Sequence, residues 1–213
     1  VGGVFVLKND TVSPKMAQAE SEVVKSFDWR NRHGINWMTP VKDQGQSCYC
    51  CAFAAVSCVE ALSNLYYNKK LDLDLSEQEA ACCNEYVQSR NPYTGGMSID
   101  APLDYFRDHG VCDEEAYPFV DADSAHNCRS DEVTPNYTVR IKGYHQINSK
   151  AEDIIKKAII AQGPLVSGFY FGYKWNGKDD VGTSHAVVLT GWHVLQAGDT
   201  IKHLHHKGNG TDL

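Results

Sequence analysis

Residues 44–53 read Gln-Gly-Gln-Ser-Cys-Tyr-Cys-Cys-Ala-Phe, and the character of the chain changes within them. Upstream, residues 27–46 are loop-like, with glycine and proline as punctuation. Downstream, residues 50–67 contain neither glycine nor proline, and their apolar side chains recur with helical spacing. The pattern therefore predicts a long, largely buried helix that begins at the cysteine cluster.

A cysteine in the first turn of a helix lies where the helix dipole and the free N–H groups stabilise negative charge. That environment lowers a thiol pKa and increases the thiolate fraction. Gln44, just upstream, can aim its amide at the same point, and with the backbone N–H of the cysteine it would form an oxyanion hole. A thiolate also needs a base. His185 opens a short apolar run after the turn-like residues 179–184, although a single histidine is by itself more typical of a surface or capping position.

Helices are predicted at three further places. Ser76 with Glu79, and Ser149 with Glu152, are capping boxes that each open a helix, and the second helix stops at a Gly-Pro pair. Between them, a helix-spaced apolar set ends before Gly110, which suits the left-handed position after a helix.

Strands are predicted in the second half of the chain. Residues 139–144 alternate weakly, and residues 165–171 and 185–192 are short apolar runs bounded by turn residues. Helices in the first half and strands in the second predict an α+β protein with two lobes. A cleft between lobes is the usual place for a ligand.

The composition of the chain limits the classes of partner and the cellular locations to be expected. Apolar residues make up 42% of the chain and charged residues 22%, typical of a globular protein. The formal net charge of −7 argues against a nucleic-acid partner. The sequence contains no run of about 18 consecutive apolar residues, so it predicts no membrane span. Eight cysteines favour an oxidising environment, so we expect a secreted, periplasmic or lysosome-like location with disulfides among some of the cysteines.

Several blocks of the sequence resemble the papain-like cysteine proteases of the cathepsin and papain type, in that family's order. The blocks are Asp28-Trp29-Arg30, Thr39-Pro40-Val41-Lys42-Asp43-Gln44-Gly45, Cys50 with Ala52-Phe53, Leu75-Ser76-Glu77-Gln78-Glu79, Gly95-Gly96, Tyr117-Pro118, Gly163-Pro164 and His185-Ala186-Val187. The separation of Cys50 and His185 also fits the roughly 130–150 residues expected for such a pair. The resemblance covers about residues 26 to 202.

The resemblance implies a helical left lobe and a β-barrel-like right lobe with the active-site cleft between them. Residues 1–25 would be an N-terminal extension or the remnant of a pro-segment. Residues 26–133 would form the left lobe with the nucleophile, and residues 134–213 the right lobe with the histidine. The implied activity is hydrolysis of peptide bonds through a thioester acyl-enzyme.

The same resemblance implies roles for individual residues. Cys50 is the nucleophile, Gln44 the oxyanion donor, and His185 the base that later protonates the leaving amine. The residues implied in substrate binding are Gly95, Gly96, Met97, Ser98, Gly168, Ser184 and Ala186. Expected partners are peptide or protein substrates and protein inhibitors or a pro-segment, with no cofactor, no metal, no membrane and a monomeric state.

The cysteines around the nucleophile depart from the family's Cys-Gly-Ser-Cys-Trp run. Ser47 takes the place of a disulfide cysteine, so Cys48 is a candidate for a shifted pairing with Cys82. Tyr49 replaces a small residue, which we expect to crowd the cleft. Cys51 replaces the aromatic residue and is an alternative nucleophile.

We favour Cys50 over Cys51 as the nucleophile because Gln44 lies six residues before it and an Ala-Phe pair follows it, both as in the family. Cys83 and Cys128 match a family disulfide. Cys58 is expected to be a buried free thiol, and Cys112 is left unassigned.

The C-terminal residues also depart from the family. Ile201-Lys202 is followed by His203 and not by the family's Asn-Ser-Trp-Gly, so His203 is only a possible orienter of His185. We expect the right lobe to be incomplete at its C-terminus. The alternative to an active peptidase is therefore a catalytically impaired scaffold that binds peptides or a protein partner. Zinc binding fits poorly, because the cysteine cluster lacks the usual spacing and a second pair.

Overall fold

The structure is a computed structural model that describes residues 4–7, 24–86, 96–121, 127–148, 151–175 and 178–195. Its helices are α1 (Cys50–Tyr67), α2 (Glu77–Cys82), α3 (Asp100–Asp108) and α4 (Glu152–Gln162), with short 3₁₀ helices at Trp29–Asn31 and Ser130–Glu132. Its strands are β1 (Val4–Leu7), β2 (Ser26–Asp28), β3 (Val111–Cys112), β4 (Thr138–Val139), β5 (Tyr144–Ile147), β6 (Leu165–Trp175), β7 (Lys178–Leu189) and β8 (Gly191–His193). The predicted α+β class is confirmed.

Helix α1 is the central element of the first half, and it begins at Cys50 and ends at Tyr67 as predicted. Its C-terminus is capped by Asn68, whose left-handed backbone (φ 48°) directs its N–H to the carbonyls of Asn64 and Leu65. By length and composition alone this helix could cross a membrane, but 61% of it is buried inside the protein. It is therefore packed as a core helix.

The capping box before α2 is half realised. The Ser76 hydroxyl accepts the Glu79 N–H at 2.9 Å, as predicted. The Glu79 carboxylate, however, accepts the backbone N–H of Cys112 in β3 at 2.6 Å and does not reach back to Ser76, whose own N–H donates to the Cys112 carbonyl. Burial explains the difference, because the N–H of β3 would otherwise lack a partner beside the helix start.

Helices α3 and α4 end where the sequence predicted. Gly110 follows α3 with φ 85°, and Gly163 caps α4 with φ 96°. The start of α4 differs, because Ala151 occupies the N-cap position and makes no side-chain cap. The predicted cap, Ser149, lies outside the described residues.

The second half contains a sheet with strand order β5-β1-β6-β7. Strands β6 and β7 form a long antiparallel hairpin in which Leu165 pairs with Leu189 and Tyr173 with Val181. The prediction of a turn at residues 179–184 is wrong, because these residues belong to β7 and pair along β6. The sequence did not predict β1, which joins the sheet from the segment 1–25 and pairs with β5 and β6.

Helix α1 packs against this hairpin. Val166 of β6 and Ala186 of β7 belong to the same buried cluster as the apolar face of α1, and the Cys58 thiol donates to the Pro164 carbonyl at 3.0 Å. A second cluster forms around Phe27 of β2, which stacks on Trp192 of β8 with ring centroids 5.3 Å apart. The first turn of α1 is thereby set against the middle of β7.

Candidate active site

Cys50 and His185 meet where α1 approaches β7. Cys50 is the first residue of α1 and is half-buried, and it lines the same cavity as His185 and Ala186. His185 lies within β7 and not at its start, opposite Phe169 in the register of the hairpin. The Phe169 ring meets the imidazole edge to face, with centroids 6.0 Å apart.

The surroundings of Cys50 favour a thiolate. A hydrogen bond from Cys51 and, against the effect of burial, the hydrogen bond and charge of His185 lower the Cys50 pKa to about 4. Free N–H groups in the first turn of a helix act in the same direction. Cys48, which is exposed, behaves differently, since partial burial and the charge on Cys50 raise its pKa. Of these neighbouring cysteines, Cys50 is thus the one with the character of a nucleophile.

Cys51 is buried against the backbone of Met97. Its thiol donates to the Met97 carbonyl at 3.1 Å, and its hydrogen bond to Cys50 together with burial raises its pKa. A buried thiol of this kind is a poor nucleophile. The geometry therefore favours Cys50 over the alternative nucleophile Cys51.

Gln44 is held by the loop that precedes α1. Its Nε2 donates to the Ser47 carbonyl at 2.7 Å. The adjacent Gly45 has φ 57°, and a Cβ there would lie 2.0 Å from the Asp121 carboxylate, which accepts the Gln46 N–H at 2.8 Å. Only glycine fits this close approach. The sequence analysis missed Asp121, because its contact with the loop is formed across a long stretch of chain.

Four of the predicted site residues share a cavity: Gln44, Cys50, His185 and Ala186. They line a space of about 420 Å³ between α1, β7 and residues 36–42. Phe53, Ala54 and Ser57 of α1 and Ala186 to Val188 of β7 complete much of its wall.

The other predicted substrate-binding residues that the structure describes lie outside this wall. Gly96 and Ser98 are exposed beside Met97, whose side chain packs against the main core. Gly168 pairs with the buried Ala186 across the hairpin, and Ser184 is exposed in β7. Gly95 and the possible orienter His203 lie outside the described residues.

The structure gives the pairing state of five cysteines that the sequence singled out. Cys83 and Cys128 form the expected disulfide, and Cys58 is a buried free thiol as expected. The suggested pairing of Cys48 with Cys82 is wrong, since both are free thiols. Cys48 is exposed, whereas Cys82 is buried and its sulfur accepts a hydrogen bond from Gln78 at 2.9 Å.

Tyr49 does not crowd the cleft. It is 1% exposed, and its hydroxyl lies 3.6 Å from the Cys82 sulfur in the core. The expectation was wrong because a residue that precedes a helix can turn its side chain inward beneath the first turn. Cys112, left unassigned by the sequence, is a buried free thiol.

Within the described ranges, no three or more His, Cys, Asp or Glu side chains are grouped so that they could hold a metal ion. The tail histidines, His203, His205 and His206, lie outside those ranges.

A buried charge cluster, which the sequence analysis did not identify, lies beside the cavity. Lys42 Nζ contacts carboxylate oxygens of Glu60 at 3.2 Å, Glu77 at 2.7 Å and Asp74 at 2.6 Å. Burial alone would lower the Lys42 pKa, but Glu60 and Glu77 outweigh it and raise the pKa. A charged residue, Glu60, on the apolar face of α1 was the signal in the sequence. The cluster fixes the loop that forms one wall of the cavity.

Comparison with known sequences identifies the family. The sequence model of the family described as papain family cysteine protease matches residues 23–202. The senescence-specific cysteine protease SAG39 of Oryza sativa subsp. indica is 31% identical over 175 residues, covering 78% of this chain and 48% of the relative. A cysteine protease of Blomia tropicalis is 29% identical over 212 residues, covering 91% of this chain and 60% of the relative. The chain thus spans about half to three fifths of the length of these relatives.

Comparison with solved structures gives the same fold. The Carica candamarcensis cysteine protease CMS1MS2, solved in complex with E-64, superposes with a TM-score of 0.61 at 23% identity, covering 81% of this chain and 79% of that one. The digestive procathepsin L 3 of Tenebrio molitor has a TM-score of 0.56 at 21% identity, covering 88% and 68%. The family model, the α+β papain fold and the described site geometry agree, and the chain belongs to the papain family of cysteine proteases.

Proposed function

We propose that this chain is the peptidase domain of a cysteine protease that hydrolyses peptide bonds through a thioester acyl-enzyme. The observations that support it most directly are that Cys50 and His185 line one cavity and that Cys51 and, against the effect of burial, His185 lower the Cys50 pKa to about 4. At pH 5 such a thiol is about 90% thiolate, whereas an ordinary thiol of pKa near 8.5 is only about 0.03% thiolate. The nucleophile is therefore ready before substrate binds.

The reaction begins with attack of the Cys50 thiolate on the carbonyl carbon of the scissile peptide. The negative charge that forms on the carbonyl oxygen is stabilised by the Cys50 backbone N–H and the Gln44 amide. Gln44 has two N–H donors, so one can hold the Ser47 carbonyl while the other binds the oxyanion.

Collapse of the tetrahedral intermediate breaks the C–N bond. His185, as the imidazolium, gives its proton to the leaving amine and remains as the neutral base. Water then loses a proton to His185 and attacks the thioester carbon, which releases the carboxylic acid product and restores the thiolate–imidazolium pair. Phe169, against the imidazole ring, limits the directions in which His185 can turn.

We infer substrate contacts from the same reaction. Gly95, Gly96, Met97 and Ser98 would bind the extended peptide on one side, and Gly168, Ser184 and Ala186 on the other. His203 stays a possible orienter of the imidazole. Residues 26–133 would form the lobe with Cys50 and residues 134–213 the lobe with His185, with residues 1–25 as an extension or pro-segment remnant.

The proposed setting is a secreted, periplasmic or lysosome-like compartment. The Cys83–Cys128 disulfide supports an oxidising environment. Peptide or protein substrates, protein inhibitors or a pro-segment are the proposed partners. We propose a monomer that needs no cofactor and binds neither nucleic acid nor a membrane.

The experiment is hydrolysis of a fluorogenic dipeptide amide together with limiting iodoacetamide at pH 5 and mass mapping of the labelled peptide. We expect activity and rapid labelling of Cys50 alone, and loss of activity in Cys50→Ala and His185→Ala. Cys58→Ala, which removes a buried thiol farther along the same helix, is the matched control and should stay active. If Cys50 is not labelled rapidly at pH 5, the peptidase proposal is wrong and a non-catalytic peptide-binding scaffold takes its place.

A further inference from the structure

Strand β1 is paired on both of its sides with strands from the other half of the chain. All four of its residues, Val4–Leu7, pair with β5, and its first two also pair with Ser167 and Val166 of β6. Both pairings are antiparallel. Because the strand order is β5-β1-β6-β7, β1 fills the gap between β5 and β6.

The connection of β1 to its sheet differs from that of the other strands. Strands β5, β6 and β7 follow one another within residues 144–189. Residues 8–23, which lie outside the described ranges, join β1 to β2, and β2 pairs with β8 in a separate sheet. The place of β1 between β5 and β6 therefore depends on contacts across the strands and not on a short connection to either neighbour.

An empty gap would leave backbone groups of both neighbouring strands unpaired. Unpaired N–H and C=O groups on a strand bind an extended segment of another peptide, which is called β-augmentation. The part of β6 that pairs with β1 lies in the interior, since Val166 is 1% exposed. Backbone groups left without a partner there are costly, so the gap favours an occupant.

The sequence of β1 indicates what kind of peptide the gap accepts. It reads Val-Phe-Val-Leu, with two glycines before it and Lys8 after it. β-Branched and aromatic residues favour an extended backbone, and a segment without proline can pair along both of its edges. The gap therefore fits an extended apolar peptide that lies antiparallel to β5 and β6.

We propose that the gap between β5 and β6 is a binding site for an extended apolar peptide, and that residues 4–7 occupy it as a ligand that does not require its covalent link. A chain cut between β1 and β2 thus keeps β1 bound. The inference goes beyond the proposed function, because the residues that pair with β1 are not in the wall of the active-site cavity. The gap is a second peptide site.

The test places the recognition sequence of a specific protease between Ser13 and Pro14 of the whole chain. The folded protein is cut there and applied to size exclusion in native buffer, and each fraction is identified by mass. We expect residues 1–13 to elute with the rest of the chain and to separate from it only in denaturant. Separate elution of this fragment in native buffer would overturn the proposal.

Two variants at Phe5 test whether backbone pairing holds the fragment. Phe5 pairs with Gln146 of β5 and with Val166 of β6, so its N–H meets a neighbouring strand on either side. Phe5→Pro removes this donor and should release the cut fragment, whereas Phe5→Tyr keeps the donor and an aromatic ring and should retain it. Equal retention of the two fragments would show that the strand pairing does not bind them.

Synthetic peptides of residues 1–8 give the same comparison without a variant that must fold. An excess of the unmodified peptide should displace the fragment from the cut wild-type protein. The peptide N-methylated at Phe5 should require at least about tenfold more, as for loss of a buried hydrogen bond. N-methylation at Gly2, outside β1, is the matched control and should have little effect. No displacement by the unmodified peptide, or equal displacement by all three, would contradict the proposal.

These measurements report binding and do not depend on hydrolysis. A retained and displaceable fragment in a protein without peptidase activity would leave this inference intact and overturn the proposed function. Loss of the fragment from an active protein would do the reverse.

Discussion

Replacement of Lys42 by methionine tests the buried charge cluster beside the active-site cavity. The ammonium group contacts Glu60, Asp74 and Glu77 and also donates to the Leu75 carbonyl at 3.1 Å. The side chains of Glu60 and Glu77 are 0% and 2% exposed, whereas that of Asp74 is 60% exposed. Methionine keeps the length of the aliphatic stem and removes only the charge and the donors.

The expected loss follows from which carboxylates are buried. Removal of one partner of a buried ion pair costs about 3–5 kcal/mol, because the remaining charge lacks both water and a counter-ion. Below pH 8 Glu77 is largely protonated, so Glu60 is the buried charge that Lys42→Met leaves without its counter-ion. The Glu60 carboxylate keeps hydrogen bonds from Thr39 and from the Leu75 N–H, which places the expected loss in the lower half of that range. Asp74→Asn removes an exposed partner of the same ammonium and should cost less than about 1 kcal/mol.

The stability lost in Lys42→Met should decrease as the pH falls. Without the ammonium, Glu60 and Glu77 bind protons more tightly in the folded state than in the wild type. Each additional proton bound by the folded variant makes its stability fall by about 1.4 kcal/mol more per pH unit than that of the wild type. The difference between Lys42→Met and wild type should therefore be smaller at pH 5 than at pH 8.

Urea unfolding followed by tryptophan fluorescence gives both quantities, provided that the slope m is unchanged. The reasoning is refuted if Lys42→Met costs no more than Asp74→Asn, or if its cost grows on acidification.

Three further changes give independent tests. In Glu77→Gln, the fall in stability from pH 5 to pH 8 should be shallower by up to about 1.4 kcal/mol per pH unit. Burial raises the folded-state pKa of Glu77 to about 8. The stability that the protonated Glu77 carboxyl contributes is therefore complete below about pH 4.3 and is lost as the pH rises through 8. An unchanged dependence of stability on pH in urea titrations would contradict this. Cys83→Ser opens a disulfide that spans 45 residues and should lower stability by roughly 4 kcal/mol, measured as a lower melting temperature that reduction of the wild type reproduces. Gly45→Ala places a Cβ 2.0 Å from the Asp121 carboxylate at φ 57° and should lower stability by about 2–3 kcal/mol. The loss should exceed that of Gly34→Ala, because Gly34 has φ 79° but open space around its Cβ position. Equal urea midpoints for the two variants would show that the Asp121 contact contributes little.

Local patterns predicted the helices well. Residues 50–67 lack helix breakers and place apolar side chains on one face, so the bounds of α1 are fixed by its own sequence. Gly110 and Gly163 mark helix ends because few other residues adopt their backbone angles. The Ser76 cap also formed as predicted, since its partner lies three residues away.

The errors concern partners that are distant in sequence. Glu79 binds the N–H of Cys112, and β1 pairs with β5 and β6, contacts that no local pattern specifies. The polar residues 179–184 read as a turn, yet pairing with β6 makes them strand. Tertiary pairing overrides such local preferences in sheets.

The candidate site was predicted from residue types at the expected separation, and its geometry required the structure. The Cys50–His185 pair follows from the family resemblance, but the inward direction of Tyr49 and the contact of Cys51 with Met97 depend on how α1 packs. Asp121 could not be linked to the loop at Gly45 from the sequence, because the contact is specific to the folded state.

The position of Cys50 on α1 and of His185 on β7 also has a consequence for the order of folding. Helix α1 and the β6–β7 hairpin each depend on local contacts, whereas the pair that joins them requires closure of most of the chain, which is the slow part of folding. Before that closure, Cys50 lacks His185, and with it both the imidazole's share of the lowered Cys50 pKa and the proton donor of the reaction. Alkylation of Cys50 at pH 5 during refolding would therefore report the docking of the two halves, and a nascent or partly folded chain would not yet have its hydrolytic nucleophile.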